Sequence, residues 1–193
     1  MANYKLGTHN SMSYLKPLKW WHRPFHFLSR CQRVSIQEQY EKYNARYFDL
    51  RVKEYNGEWY FAHGKTIFKS CSQDIHDVLG FLNKKGDAVV RLVLETNKRD
   101  KSLETRFQTL CYGLTRKNPK ITFIGGYTKA DWSTLFTSVL PKPIYIYEAV
   151  SSTTGNILDD WCPYFYAKRY NKDNYAQGTA KDFLVLDFID IKE

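Results

Sequence analysis

Two histidines, an arginine and several carboxylates are the residues of this chain whose types and placement suit acid–base chemistry on an anion. His9 stands in Leu6-Gly7-Thr8-His9-Asn10-Ser11, where a short apolar lead ends in glycine and polar residues follow. That pattern suits a strand end turning into a loop, where parallel α/β folds carry reactive groups. His63 ends Phe61-Ala62-His63-Gly64 in the same way. Histidine takes and gives protons near neutral pH, so a pair can serve as base and acid. In Phe48-Asp49-Leu50-Arg51-Val52, strand alternation puts Asp49 and Arg51 on one face and the apolar residues on the other. Charges buried in this way must be paired. The pair is either a structural salt bridge or a cation held where a phosphate binds, a task suited to the planar guanidinium. Glu95 ends the apolar run Val93-Leu94, and Asp187 lies within Leu184-Val185-Leu186-Asp187-Phe188. Each residue alone is a weak signal, but a barrel would gather all of them at one rim.

The elements that must position these groups are legible as periodicity. Tyr47–Val52 reads as a strand, followed after the turn dipeptide Asn56-Gly57 by Glu58–Ala62. Ser72 or Asp74 can cap a helix that carries Ile75, Val78, Leu79 and Leu82 on one face, runs to about Asn83 and stops at Gly86. Ala88–Leu94 reads as a buried strand. Lys101–Arg116 reads as an amphipathic helix with Leu103, Phe107, Leu110 and Leu114 inward. Ile121–Ile124 and Ile144–Val150 are strands, Asp131–Leu140 is a helix, and Ile157–Tyr170 is part helix, part loop. Phe183–Ile189 is the final strand. Alternation of strand and helix from residue 72 onward predicts βα units and a largely parallel sheet, closed barrel or open doubly wound. A full (β/α)₈ barrel takes about 250 residues, so a barrel here is pared down.

Composition sets the frame. The chain has 193 residues, 43% hydrophobic and 17% aromatic, which suits one globular domain over 1–193 and excludes a disordered chain. Lys and Arg number 29 against 20 Asp and Glu, a net charge of +9 that favours anionic partners. The four cysteines are scattered without a CxxC pair, so their spacing marks neither a zinc site nor a disulfide framework. The N-terminus lacks the pattern of a signal peptide and no apolar run is long enough to span a bilayer. The expected location is cytoplasmic, with peripheral contact at a membrane surface, and the expected state is a monomer.

The ordered set Gly-Thr-His-Asn-Ser (7–11), Arg-Tyr-Phe-Asp-Leu-Arg (46–51), His63-Gly64 and Leu-Asp-Phe-Ile (186–189) resembles the catalytic X-type domain of the phosphatidylinositol-specific phospholipase C superfamily. The likeness runs from Leu6 to Asp187 and implies a small, irregular TIM-like barrel that cleaves a phosphodiester. It implies that His9 is the general base, that His63 is the general acid, and that Asp187 orients His9. It also implies that Arg51 stabilises the phosphate's charge with Asp49 beside it. Two positions depart from the family. In the calcium-dependent members an asparagine and three carboxylates hold the metal; Asn10, Asp49 and Glu95 fit three of these positions, but Arg51 replaces a carboxylate. A guanidinium there repels calcium, so neither an essential metal nor another cofactor is expected. Bacterial members carry aspartate where Asn10 stands, and asparagine lends no charge to His63 as an imidazolium. Asp49 or Glu95 is the available substitute.

Outside these motifs, Leu15–Arg33 interleaves Trp20, Trp21, Phe25, Phe27 and Leu28 with Lys16, Lys19, Arg23, Arg30 and Arg33. It reads either as a lipid-interface segment or as a loop packing its aromatics over the barrel. Asn10, Glu95, Lys168 and Arg169 are candidate substrate contacts, and Arg91 with Glu148 a candidate ion pair inside the barrel. His22, His26 and His76 are read as uninvolved. The expected substrate is phosphatidylinositol or a related phosphodiester. A glycerophosphodiester or soluble nucleotide-like phosphodiester is the alternative, although the His-Arg-Gly and Glu-x-Asp signatures of glycerophosphodiesterases are missing. A nucleic-acid-binding module is a further alternative, without a stacking platform or binding motif to support it.

Overall fold

The computed structural model describes residues 4–96, 100–126, 144–151, 155–177 and 182–191. Its frame is a curled, half-barrel sheet. Strands β1 (Lys5–Thr8), β2 (Ala45–Tyr55), β5 (Val89–Leu94), β6 (Thr122–Gly126), β7 (Ile146–Ala149) and β8 (Phe183–Leu186) run parallel in the order β7-β8-β1-β2-β5-β6. Two short antiparallel strands, β3 (Glu58–His63) and β4 (Thr66–Ile67), extend the sheet from the far end of β2. β2 is the pivot. Its first half pairs with β1, and where β1 ends, β3 takes the same edge from Val52 onward. The β2–β3 turn closes at Asn56 and Gly57, whose φ values of 52° and 77° match the twist of a tight hairpin.

The two faces of the sheet separate by residue parity. Phe48, Leu50 and Val52 of β2, with Val90, Leu92 and Leu94 of β5, pack outward. They meet Ile75, Leu79 and Leu82 of α2 (Ser72–Lys85) and Phe107, Cys111 and Leu114 of α3 (Lys101–Lys117). Tyr47, Val89, Ile124, Phe183 and Val185 fill the concave face. Asp49 and Arg51 share parity with Tyr47, which places both charges inside the curl. Gly7 follows from the same geometry. A Cβ there would stand 2.8 Å from Tyr47 Cδ1 and 3.0 Å from Val185 Cγ2.

Several local expectations hold with shifted edges. α2 begins one residue past Cys71, whose backbone N–H donates to Asp74 Oδ2 (2.7 Å), and ends at Gly86 in the left-handed region. The segment 157–170 resolves into α4 (Ile157–Trp161) and α5 (Pro163–Gln177), split where Pro163 opens the second helix. The last strand is shorter than expected. It stops at Leu186 because Phe188 adopts φ 45° and its N–H turns aside to the Cys31 carbonyl (2.6 Å). The remaining helix is α1 (Ile36–Glu41), whose capping box joins Ser35 and Glu38. A 3-10 helix covers Trp20–Leu28 and buries none of its residues. Asp131–Leu140 lies outside the described residues.

Candidate active site

The sequence-derived residues converge at the C-terminal ends of β1, β3, β5 and β8 and at the middle of β2. His9 follows β1, Asp187 follows β8 and Glu95 follows β5; Asp49 and Arg51 lie in β2, and His63 ends β3. His9 Nδ1 stands 2.7 Å from Asp187 Oδ1, and His9 Nε2 stands 2.7 Å from Arg51 Nη2. A guanidinium only donates. His9 Nε2 is therefore the acceptor, and its proton is on Nδ1, donated to Asp187. The ring is held in one tautomer with its basic nitrogen turned into the site. Asp187 is fixed in turn by the Ser151 N–H on Oδ2 (2.8 Å).

Arg51 is anchored by Nε donating to Asp49 Oδ2 (2.8 Å), and its Nη1 lies 3.6 Å from Glu95 Oε2. Asp49 is wholly buried and also accepts the Asn10 N–H at 3.1 Å. Burial alone would raise its pKa, yet the Arg51 guanidinium, with His9, Arg91 and the Asn10 N–H beside it, outweighs this and holds it at about 2. Burial likewise works against the charged form of Arg51, and the carboxylates of Asp49 and Glu95 reverse it, so its pKa lies above the ordinary value. The pair stays ionised across the physiological range. Arg91 continues the network inward, with Nη1 3.6 Å from both Asp49 Oδ1 and Glu148 Oε1. The expected Arg91–Glu148 pair thus also reaches Asp49.

His63 faces His9 edge-on, with ring centroids 5.8 Å apart. Its Nδ1 donates to the Ser29 carbonyl (2.9 Å), leaving Nε2 without a hydrogen on the ring's other side. Burial, then the Arg51 charge and His9, lower its pKa to about 4; the Ser29 carbonyl and Glu95 oppose this only weakly. Asn10 contributes no charge to His63. Its φ of 41° is a conformation asparagine tolerates, and its side-chain Nδ2 is buried without a protein hydrogen-bond partner.

Two candidate substrate contacts lie apart from this cluster. Lys168 and Arg169 make no hydrogen bond or ion pair to this cluster. Lys168 is exposed on α5, and Arg169 Nη1 bonds the buried Asp159 Oδ2 (2.7 Å), an acid that needs a cation of its own. Trp20 and Trp21 are 71% and 51% exposed, and Phe25 and Phe27 are exposed with them, which rules out the packed-loop alternative for those four residues. The aromatic run lies at the site's mouth: His22, Phe25, Leu28 and Ser29 line one cavity with His63 and Gly64.

Sequence reasoning missed the scaffold under the histidines. Gln32 Nε2 donates to the His9 and Leu186 carbonyls (3.2 and 2.8 Å), and its Oε1 accepts the Ile189 N–H. Ser13 Oγ accepts the N–H groups of Cys31 and Gln32. These bonds tie the loops after β1 and β8 to the segment after the 3-10 helix. Their partners are far apart in sequence, and no local pattern signals them.

The geometry defines an α/β half-barrel with two histidines facing each other over a carboxylate-anchored arginine. No protein-family model matches the chain, and no curated protein matches it in sequence. Its fold is that of bacterial phosphatidylinositol-specific phospholipases C. The structure from Listeria monocytogenes aligns over 99% of this chain and 90% of its own, with a TM-score of 0.67 and 17% identity. A variant of the Staphylococcus aureus protein aligns over 97% and 88%, with a TM-score of 0.64 and 14% identity. Another S. aureus structure, concerned with modulation of membrane binding, aligns over 97% and 88%, with a TM-score of 0.59 and 14% identity.

Proposed function

We propose that this chain is a phospholipase C-type phosphodiesterase that cleaves phosphatidylinositol or a related lipid phosphodiester through a cyclic phosphate, without a metal. The observation that carries this reading is the chain Asp187···His9···Arg51, which places a basic imidazole nitrogen and a guanidinium 2.7 Å apart in one buried site. A phosphate drawn to Arg51 takes over the guanidinium's hydrogen bond and frees His9 Nε2. That nitrogen accepts the proton of a hydroxyl adjacent to the phosphate. The oxygen attacks phosphorus and the bond from phosphorus to the leaving oxygen breaks. His63, protonated, delivers its proton to that oxygen, and the cyclic phosphodiester remains. Arg51 stabilises charge on the phosphoryl oxygens, and the intramolecular attack supplies much of the rate. The buried Asn10 Nδ2 is a further donor for the bound phosphate.

The His63 pKa near 4 fits this scheme. The free protein holds His63 neutral at pH 7, and the negative charge of a bound phosphodiester favours its protonated form. The exposed aromatics at the mouth favour a substrate in a lipid surface over a soluble one.

The test is phosphorus NMR of purified protein with phosphatidylinositol vesicles and, separately, soluble glycerophosphodiesters and nucleotide phosphodiesters. A cyclic phosphate signal from the lipid, lost in His9→Ala and in His63→Ala and indifferent to EDTA, is the expected result. Turnover that survives both substitutions, or that EDTA abolishes and calcium restores, sinks the reading.

A further inference from the structure

Cys31 has no part in this chemistry, yet its thiol lies close to both histidines. One ligand atom each from His9, Cys31 and His63 lie within 4.8 Å of one another, and Cys31 Sγ is 3.8 Å from His63 Nδ1. The sulfur is fully buried and the backbone holds it firmly: the Cys31 N–H donates to Ser13 Oγ and its carbonyl accepts the Phe188 N–H. We propose that His9, Cys31 and His63 form a binding site for a thiophilic divalent ion of the zinc class, and that its occupation switches the active site off.

The donor set is the argument. Two imidazoles and a thiolate suit Zn²⁺, whereas calcium and magnesium require oxygen ligands. Zinc bonds of about 2.0–2.3 Å place tetrahedral ligands about 3.3–3.6 Å apart. The observed spacing therefore closes by side-chain movements of about 1 Å. His9 is already prepared for metal binding: Asp187 holds its Nδ1–H, which leaves Nε2 as the donor, a carboxylate–histidine arrangement typical of zinc sites. The Arg51 guanidinium that counts against calcium also repels zinc at His9 Nε2, so the ion enters only because the thiolate and the surrounding carboxylates outweigh the two arginines. Asp49, Asp187, Glu95 and Glu148 surround the site against Arg51 and Arg91. Zinc would displace Arg51 from His9 Nε2 and the proton from the Cys31 thiol, released to solvent, and the Nδ1 proton of His63 would move to Nε2 as its bond to the Ser29 carbonyl is given up. His9 then has no lone pair left to accept a proton, and a metal-bound His63 cannot take up the second proton that it would deliver. This site could not be read from cysteine spacing, because the fold alone brings its three ligands together from residues 9, 31 and 63.

Inhibition rests on the phosphodiesterase reading; binding does not. The test therefore starts with cobalt titration of the reduced, full-length protein. One Co²⁺ per chain, with a thiolate-to-cobalt charge-transfer band and tetrahedral d–d absorption, both removed by zinc and unaffected by calcium, is the expected result. Cys31→Ser and His63→Gln should each weaken zinc binding at least about tenfold. Cys31→Ser should also keep its phosphodiesterase activity and lose its sensitivity to micromolar zinc. Absence of the thiolate band in the wild-type protein overturns the site. So does unchanged zinc affinity in His63→Gln, which decides the matter if Cys31→Ser fails to fold. If the protein cleaves no phosphodiester but the band and its loss in the variants are observed, the metal site stands and the function proposed above falls.

Discussion

At the scale of single residues, the hydrogen bonds of the candidate site fix the positions of protons. Asp187 sets the tautomer of His9 from behind, Arg51 occupies its basic nitrogen from the front, and the Ser29 carbonyl sets the tautomer of His63. Asp187→Asn keeps the size of the side chain but removes the charge that supports His9 once it has gained a proton. Its expected effect is a fall in kcat of about 10²–10⁴-fold with little change in KM, measured on phosphatidylinositol vesicles. A rate within a factor of three of wild type would remove Asp187 from the mechanism. His63 yields a stability prediction. Its pKa of about 4 lies below the ordinary histidine value of about 6.5, so the unfolded chain takes up this proton at a higher pH than the native one. The native state therefore loses stability as pH falls from about 6.5 to about 4, and His63 adds no further loss below that. Part of the ring edge reaches solvent, so the effect is about 1–3 kcal/mol. Urea unfolding of wild type and His63→Gln between pH 7 and pH 4 measures it. The two curves should converge as pH falls, and parallel curves would contradict the shifted pKa.

At the scale of elements, positioning depends on how closely the strands approach inside the curl. Gly7 lies two residues before His9 on the same face, under Tyr47 and Val185. Gly7→Ala forces a methyl group against both, displacing β1 from the register that aims His9 at Asp187. A loss of about 1–3 kcal/mol in stability and at least about tenfold in kcat is expected, read by thermal unfolding and vesicle turnover. An alanine variant with wild-type rate would show that β1 has slack. This element also shows what the sequence discloses. The alternation through Phe48-Asp49-Leu50-Arg51-Val52 exposed the inward charges because strand parity is a local property. The strand ends before His9 and after His63 were legible because glycines flank them. Three features were not legible. The end of β8 at Leu186 depends on Phe188 bonding to Cys31. The hold of Gln32 on His9 and Leu186 joins segments over 150 residues apart. The third is the pairing of Arg169 with the buried Asp159. The first two were decided by long-range partners that no window of sequence contains; Asp159 stands only ten residues from Arg169, and its need for a cation comes from a burial that the local sequence does not show.

At the scale of the whole molecule, the apolar and basic surfaces meet beside the candidate active site. The exposed aromatics of the 3-10 helix continue into Ile157, Leu158 and Trp161 of α4 and Tyr164 and Phe165 of α5. A cavity of about 500 Å³ lined by Arg23, Phe27, Arg30, Cys162, Tyr164 and Phe165 joins the two segments into one rim. Among the described residues no helix is long and apolar enough to cross a membrane. Monomeric proteins rarely keep so much clustered aromatic surface in water, and arginines among the rings suit anionic headgroups. Lys19 already lies 5.5 Å from the Trp21 ring, which keeps a cation at the level where the aromatics would enter lipid. Trp20→Ala/Trp21→Ala removes the two rings but leaves the net charge of +9 unchanged. In a sedimentation assay with vesicles of phosphatidylcholine and anionic lipid, the double variant should bind at least about tenfold more weakly than wild type. Added salt should weaken both proteins by a similar factor, because the basic residues remain and their attraction is screened alike. Turnover of vesicle-borne lipid should fall with binding, and any cleavage of a short-chain soluble analogue should persist. Wild-type vesicle affinity in the double variant would deny the 3-10 helix its interfacial role. Equal losses on vesicle and soluble substrates would place the tryptophans in support of His63 rather than at a membrane.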